Sequence, residues 1–254
     1  MKTLLLTTFV CFALTTDVAQ SGVDTLKGTA DIEDCHIYGY SNCNSEQTGE
    51  ECRRFNSGGL TFFRIGNVST KPHRALIKIP GWDGIIPDSS KFLIYCAYEN
   101  DGNDRKIFLY PLTKQIFEGT EVAALVGDYP DPDSGATWNH AWLDAGDSDS
   151  LSWTTSGGDY ITDVACTTTV SDTGQYFAFE QFNRILNYWD TSGNDYGFIL
   201  INENAFPVNT ARKTFRSTES STGLSPMVLL YTTDTTESTS GRRRKITVLK
   251  NSES

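Results

Sequence analysis

Runs of alternating apolar and polar residues, closed by glycine or proline, recur along most of this chain. Gly59 to Gly66 alternates between its bounding glycines, and Arg74 to Pro80 ends on proline, so both read as strands. Phe92 to Tyr98 is a continuous apolar and aromatic run of strand length, the pattern of a sheet covered on both faces. Asn100 to Asp104 supplies a turn, and Lys106 to Leu112 returns as the hairpin partner. Val23 to Ile37 reads as a weakly patterned first strand, with Asp31, Glu33 and Asp34 crowded beside apolar neighbours. Tyr160 to Val164 and Ala165 to Val170 are β-branched, and Tyr196 to Ile201, Ala211 to Ser217 and Met227 to Tyr231 are strand-like. One segment has a helical period: Phe182, Ile185, Leu186 and Trp189 recur three and four apart, and Ser192-Gly193 ends the turn. Roughly ten strands and one helix predict an all-β fold, a jelly-roll-like β-sandwich with the helix capping its core.

One stretch departs from this regular background. Gly135-Ala136-Thr137-Trp138-Asn139-His140-Ala141-Trp142, with Trp153 and Gly157-Gly158-Asp159, holds three of the five tryptophans among Gly, Asp, Ser and Thr. A large aromatic in so polar a setting either plugs the end of a sandwich core or offers a flat ring to a ligand. The core reading fits Trp138; for Trp142 both stay open.

Composition narrows the setting. The 254 residues, 38% of them hydrophobic, suffice for one large all-β domain or two small ones. Residues 1–20 have the form of a secretory signal peptide: Met1-Lys2, an apolar run from Leu4 to Leu14, then small and polar residues to Gln20. That run is too short to span a bilayer and no later one is longer, so the expected location is extracellular. Residues 21–232 then form the β-sandwich. Residues 233–254 are a Ser/Thr-rich tail with the basic cluster Arg242-Arg243-Arg244-Lys245, expected to be disordered. Loss of the leader leaves Cys35, Cys43, Cys52, Cys96 and Cys166, an odd set that predicts two disulfides and one further thiol. Asn67-Val68-Ser69 is a glycosylation sequon suited to an exposed loop. A net charge of −11 argues against nucleic acid.

Candidate chemistry is sparse. Arg64, Lys71, His73, Arg74 and Lys78 form the densest basic region outside the tail, and strand alternation places Arg74 and Lys78 on one face. Carboxylates suited to structural calcium are Asp31, Glu33 and Glu219, with Asp144, Asp147 and Asp149 as a second group, although no EF-hand spacing is present. There is no GxSxG, HExxH or phosphate loop. Glu118 and Glu121 are the one carboxylate pair a glycosidase reading could use.

Several of these features fall in a shared order. Arg74-Ala75-Leu76-Ile77-Lys78-Ile79 is followed by Ile86-Pro87, Phe117-Glu118-Gly119, Thr137-Trp138-Asn139, Trp153 and Gly157-Gly158-Asp159. Trp189, Asn194-Asp195-Tyr196-Gly197-Phe198, Phe215-Arg216-Ser217-Thr218-Glu219 and Pro226 to Tyr231 complete it. The order resembles the DNRLRE-type domain, a secreted carbohydrate-binding β-sandwich found in polysaccharide lyases and disaggregatase-related proteins, over about residues 24–232. Ile79-Pro80-Gly81-Trp82-Asp83, the inserted Asp195 and the clustered cysteines depart from that pattern. The resemblance implies a non-catalytic protein that binds an extracellular polysaccharide, neutral or acidic. Arg64, Arg74, Lys78, His140 and Trp142 are the candidate glycan contacts. Two alternatives are a self-associating adhesive matrix protein and a polysaccharide lyase or hydrolase.

Overall fold

A computed structural model describes residues 21–39, 56–68, 71–82, 84–120, 135–143, 149–202 and 211–233. Val23–Thr232 form one compact unit. The signal segment, the basic tail, Cys43, Cys52, Glu121, Asp144 and Asp147 lie outside the described residues.

Among the described residues the protein is an all-β sandwich with one short helix. Eleven strands hydrogen-bond into a single antiparallel sheet that curls on itself. One half runs β1 (Ser21–Lys27), β13 (Met227–Thr233), β5 (Ser89–Glu99), β12 (Ala211–Arg216), β3 (Phe62–Val68), with β10 (Gln175–Phe179) also on β5. The other half runs β4 (Lys71–Lys78), β11 (Phe198–Asn202), β6 (Arg105–Pro111), β9 (Cys166–Val170), with β2 (Glu33–Tyr38) also paired to β4. The halves are joined where β3 turns into β4, pairing only Gly66↔His73, Asn67↔Pro72 and Val68↔Lys71. A separate hairpin, β7 (His140–Leu143) and β8 (Ser150–Ser152), lies off this sheet.

Alternation along these strands fills the space between the halves. Phe63, Ile65, Phe92, Ile94, Phe179 and Phe215 come from one half; Ala75, Ile77, Ile107, Leu109, Phe198 and Leu200 come from the other. Phe92 touches Phe179, Phe182 and Phe198, with ring centroids 4.9–5.8 Å apart. Helix α1 (Asn183–Ser192) closes this core with Ile185, Leu186 and Trp189, and Gly193 ends it in a left-handed conformation whose N–H donates to the Trp189 carbonyl. Helix and stop fall where the apolar period and the glycine predict them.

The outer face of the β4 half is apolar as well. Cys35, Ile37, Leu76, Ile199 and Ile201 are buried there beneath Leu112, Ile116, Ala136, Trp138, Ala141 and Trp153. The tryptophan-rich stretch is therefore a lid over a second core, which explains why β11 is buried on both faces.

Three expectations change in detail. The first predicted strand is two, because Gly28 turns the chain at φ 80° and the Asp31 carboxylate accepts the Lys27 N–H, capping the turn. Tyr160 makes a single bridge to Leu112, and no strand follows until Cys166. The sequon residue Asn67 is 2% exposed on β3 rather than in an exposed loop, since the chain pairs on both sides there.

Candidate functional site

The lid is assembled by backbone polar groups that its small residues leave accessible. The Thr137 hydroxyl accepts the His140 N–H, Trp153 donates its indole N–H to the Thr137 carbonyl, and the Trp153 N–H reaches the Asn139 carbonyl. Gly157 donates to the Trp138 carbonyl at 2.6 Å and accepts the Arg74 guanidinium at 2.6 Å. It has φ 95°, and a Cβ there would lie 2.7 Å from the Trp138 ring and 2.8 Å from Arg74 Nη1, so only glycine fits. Asp159 accepts the Thr154 and Thr155 N–H groups and pairs with Lys114 at 2.9 Å. Burial opposes its ionisation, but hydrogen bonds from Thr154, Lys114 and Thr155 outweigh that and hold the carboxyl below its ordinary range.

This arrangement separates the predicted glycan contacts. Arg74 lies under the lid, 5.0 Å from the Trp138 ring and 5.9 Å from the Tyr160 ring, and burial lowers its pKa. Arg74 and Lys78 do share a face, as alternation predicts, but the lid covers the Arg74 end of it. Trp138 is core. His140 is half-buried, its ring 3.3 Å from the Thr137 hydroxyl.

Lys78 and Trp142 converge at the edge of the lid. Along β7, Ala141 is buried in the second core and Leu143 is buried on the same side, which sends His140 and Trp142 outward. The Trp142 ring lies 5.7 Å from that of Phe117 at 53°, and Lys78 Nζ sits 5.4 Å over the Phe117 ring. Leu151 stands opposite Trp142 in the hairpin register. Phe117 and Leu151 are 45% and 42% exposed. Glu33 reaches Lys78 at 3.9 Å. Phe117 and Leu151 were not among the sequence candidates. The available signal was an apolar residue in each of two polar segments, Phe117 before Glu-Gly and Leu151 between serines.

Beside this patch the fold gathers Asp34, Glu118 and Glu219, with one carboxylate oxygen of each within 4.8 Å of the others. The Asp34 N–H donates to Glu118 Oε1 at 2.6 Å, and Asp34 Oδ2 accepts the Thr218 N–H at 2.7 Å. Burial, then the charge of Glu219, raises the Asp34 carboxyl to about 8; burial likewise raises Glu118 to about 9. Near neutral pH the group therefore holds protons. A calcium ion takes six to eight oxygens, so these three carboxylates alone fall short of a full shell. Of the sequence candidates for calcium only Glu219 is here; Asp31 caps its turn and Glu33 faces Lys78. Glu118 is a tie between segments, hydrogen-bonded to the β2 backbone.

Cys35, Cys96 and Cys166 are free and buried, which leaves no room for two disulfides among five cysteines. Their strands aim each thiol into apolar packing, Cys35 into the lid core and the other two between the sheet halves. Arg64 lies apart from the lid, 4.5 Å over Phe62 on β3. Comparison with known proteins finds no matching family model and no matching curated protein.

Proposed function

We propose that this protein is an exported, non-catalytic saccharide-binding protein whose contact surface is Phe117, Trp142, Leu151 and Lys78. The supporting observation is the aromatic pair at the lid edge, exposed Phe117 and half-buried Trp142, with a cation over the Phe117 ring. Rings of this kind cover the C–H face of a sugar, while Lys78 and Glu33 supply polar groups for its hydroxyls. An exposed apolar patch rimmed by polar groups is a feature of binding surfaces rather than of inert ones. The protonated carboxyls behind the patch hold β2, the Glu118 segment and the Thr218 segment together, which makes them a scaffold for the patch rather than a reacting pair.

The test is retention by affinity gels carrying a panel of neutral and acidic polysaccharides. Wild-type protein should be retarded by at least one, and Phe117→Ala or Trp142→Ala should weaken that binding by up to about tenfold each. Retardation by none of the panel, or variants that bind like wild type, would reject the reading.

A further inference from the structure

The positive charges around the lid edge are already matched or covered. Lys78, the cation over the Phe117 ring, faces Glu33 at 3.9 Å. Lys114 reaches β8 at the Ser152 carbonyl, but it pairs with Asp159 at 2.9 Å. Arg74 lies under the lid, where its guanidinium donates to the Gly157 carbonyl. The adjoining sequence adds only negative charge. Residues 119–134, which follow Phe117-Glu118, hold Glu121, Asp128, Asp131 and Asp133. Residues 144–149, which join β7 to β8, hold Asp144, Asp147 and Asp149. Neither segment contains a lysine, arginine or histidine.

The carboxyls behind the surface show how this corner treats a further anion. Glu118 keeps its proton to about 9 chiefly because it is buried; the charges of Glu219, Asp34 and Glu33 reinforce that, and the hydrogen bond from the Asp34 N–H opposes it. Burial, then the charges of Glu118, Asp34, Glu33 and Glu219, keeps the Cys35 thiol protonated as well. A uronate or sulfate laid on Phe117 and Trp142 enters the same field. To reach Lys78 it must displace Glu33, and the displaced carboxylate stays beside the other acids. Like charges brought together across an interface oppose binding and reject the wrong partner. An uncharged sugar meets none of this. The rings take its C–H face, while Lys78 donates to its hydroxyls and Glu33 accepts from them.

We propose that the surface formed by Phe117, Trp142, Leu151 and Lys78 takes an uncharged polysaccharide and excludes uronate-bearing and sulfated ones. That the ligand is a saccharide rests on the function proposed above. The choice of an uncharged one rests on the Lys78–Glu33 pair and on the acidic segments that continue from the surface.

Affinity electrophoresis tests this by setting each sugar backbone beside its own charged form: hydroxyethyl cellulose with carboxymethyl cellulose, galactomannan with carboxymethyl galactomannan, and dextran with carboxymethyl dextran. At least one uncharged polymer should retard the protein, and its carboxymethyl form should bind at least about fivefold more weakly. Phe117→Ala should weaken the retardation, which ties it to this surface. Glu33→Gln keeps a polar group but frees Lys78, so it should narrow the preference by about twofold or more. It changes the net charge of −11 by a single unit, so the narrowing reports the local pair. A carboxymethyl form that binds as well as its uncharged form or better, in a manner lost in Phe117→Ala, would overturn the proposal while leaving the saccharide reading intact. A preference unmoved by Glu33→Gln would overturn it too. If circular dichroism shows that variant unfolded, salt replaces it. Pull-downs of wild-type protein at about 0.05 M and about 0.5 M NaCl should show the preference narrowing as charge is screened, and an unchanged preference would overturn the proposal equally. Retention by none of these polymers would reject the saccharide reading itself, and the proposal with it.

Discussion

Replacing Gly157 with alanine tests whether the tryptophan-rich lid is held by close packing or merely laid over the sheet. Two costs add. A non-glycine residue at φ 95° carries roughly 1–3 kcal/mol of backbone strain. The new Cβ would also stand 2.7 Å from the Trp138 ring and 2.8 Å from Arg74 Nη1, inside contact distance of two groups that are themselves packed together. Overpacking of that kind costs typically 1–3 kcal/mol. The sum is about 2–6 kcal/mol, a large part of the stability of an ordinary domain. Gly174 is the control: it has φ 77° and nothing within 4 Å of an added Cβ, so Gly174→Ala carries the backbone cost alone. Urea unfolding followed by tryptophan fluorescence measures both. Gly157→Ala should exceed Gly174→Ala by about the overpacking cost of 1–3 kcal/mol. Equal values would show that Trp138 and Arg74 simply move aside and that the lid is not tightly keyed to the sheet.

Other outcomes follow from the buried charges. Asp34 and Glu118 keep their protons to about 8 and about 9 when folded, but ionise near their ordinary values when unfolded. The folded state therefore binds more protons between about pH 4 and pH 9, so their contribution falls as pH rises through that window. Urea midpoints compared across pH 5 to 9 should show the decline, and Asp34→Asn, whose amide oxygen can still accept from Thr218, should flatten it. Lys213 is 1% exposed and pairs with Glu99 and, at 3.7 Å, with Asp101. Lys213→Ala should cost about 3–5 kcal/mol by the same assay, because it leaves Glu99 without its cation, while Asp101 keeps Arg105.

The fold was legible wherever one residue type dictates one local geometry. The apolar period of Phe182, Ile185, Leu186 and Trp189 announced a helix, and Gly193 announced its end. The apolar run of β5 announced a strand, but not one covered on both faces: Phe92, Ile94 and Cys96 are buried, while Leu93, Tyr95 and Ala97 on the other face are half-buried and Tyr98 is 57% exposed. The lid was visible as a composition, tryptophan among glycine and aspartate, but its role was not, because sequence does not say which sheet face lies beneath it. That gap hid Arg74: alternation put it beside Lys78 correctly, and only the covering Trp138 and Tyr160 take it out of solvent. Asp34, Glu118 and Glu219 are far apart along the chain, so their meeting depends on which strands pair. The cysteine count misled because it carries no direction, and each described thiol points into a core.

Those thiols give the molecule built-in recorders of its own breathing. Cys35 lies under the lid, while Cys96 and Cys166 come from strands in opposite halves of the curled sheet. Burial raises the latter two to about 11 and about 12 and raises Cys35 well above its ordinary value, so alkylation must wait for the surrounding structure to part. Single-thiol variants would then time the lifting of the lid separately from the opening of the sandwich.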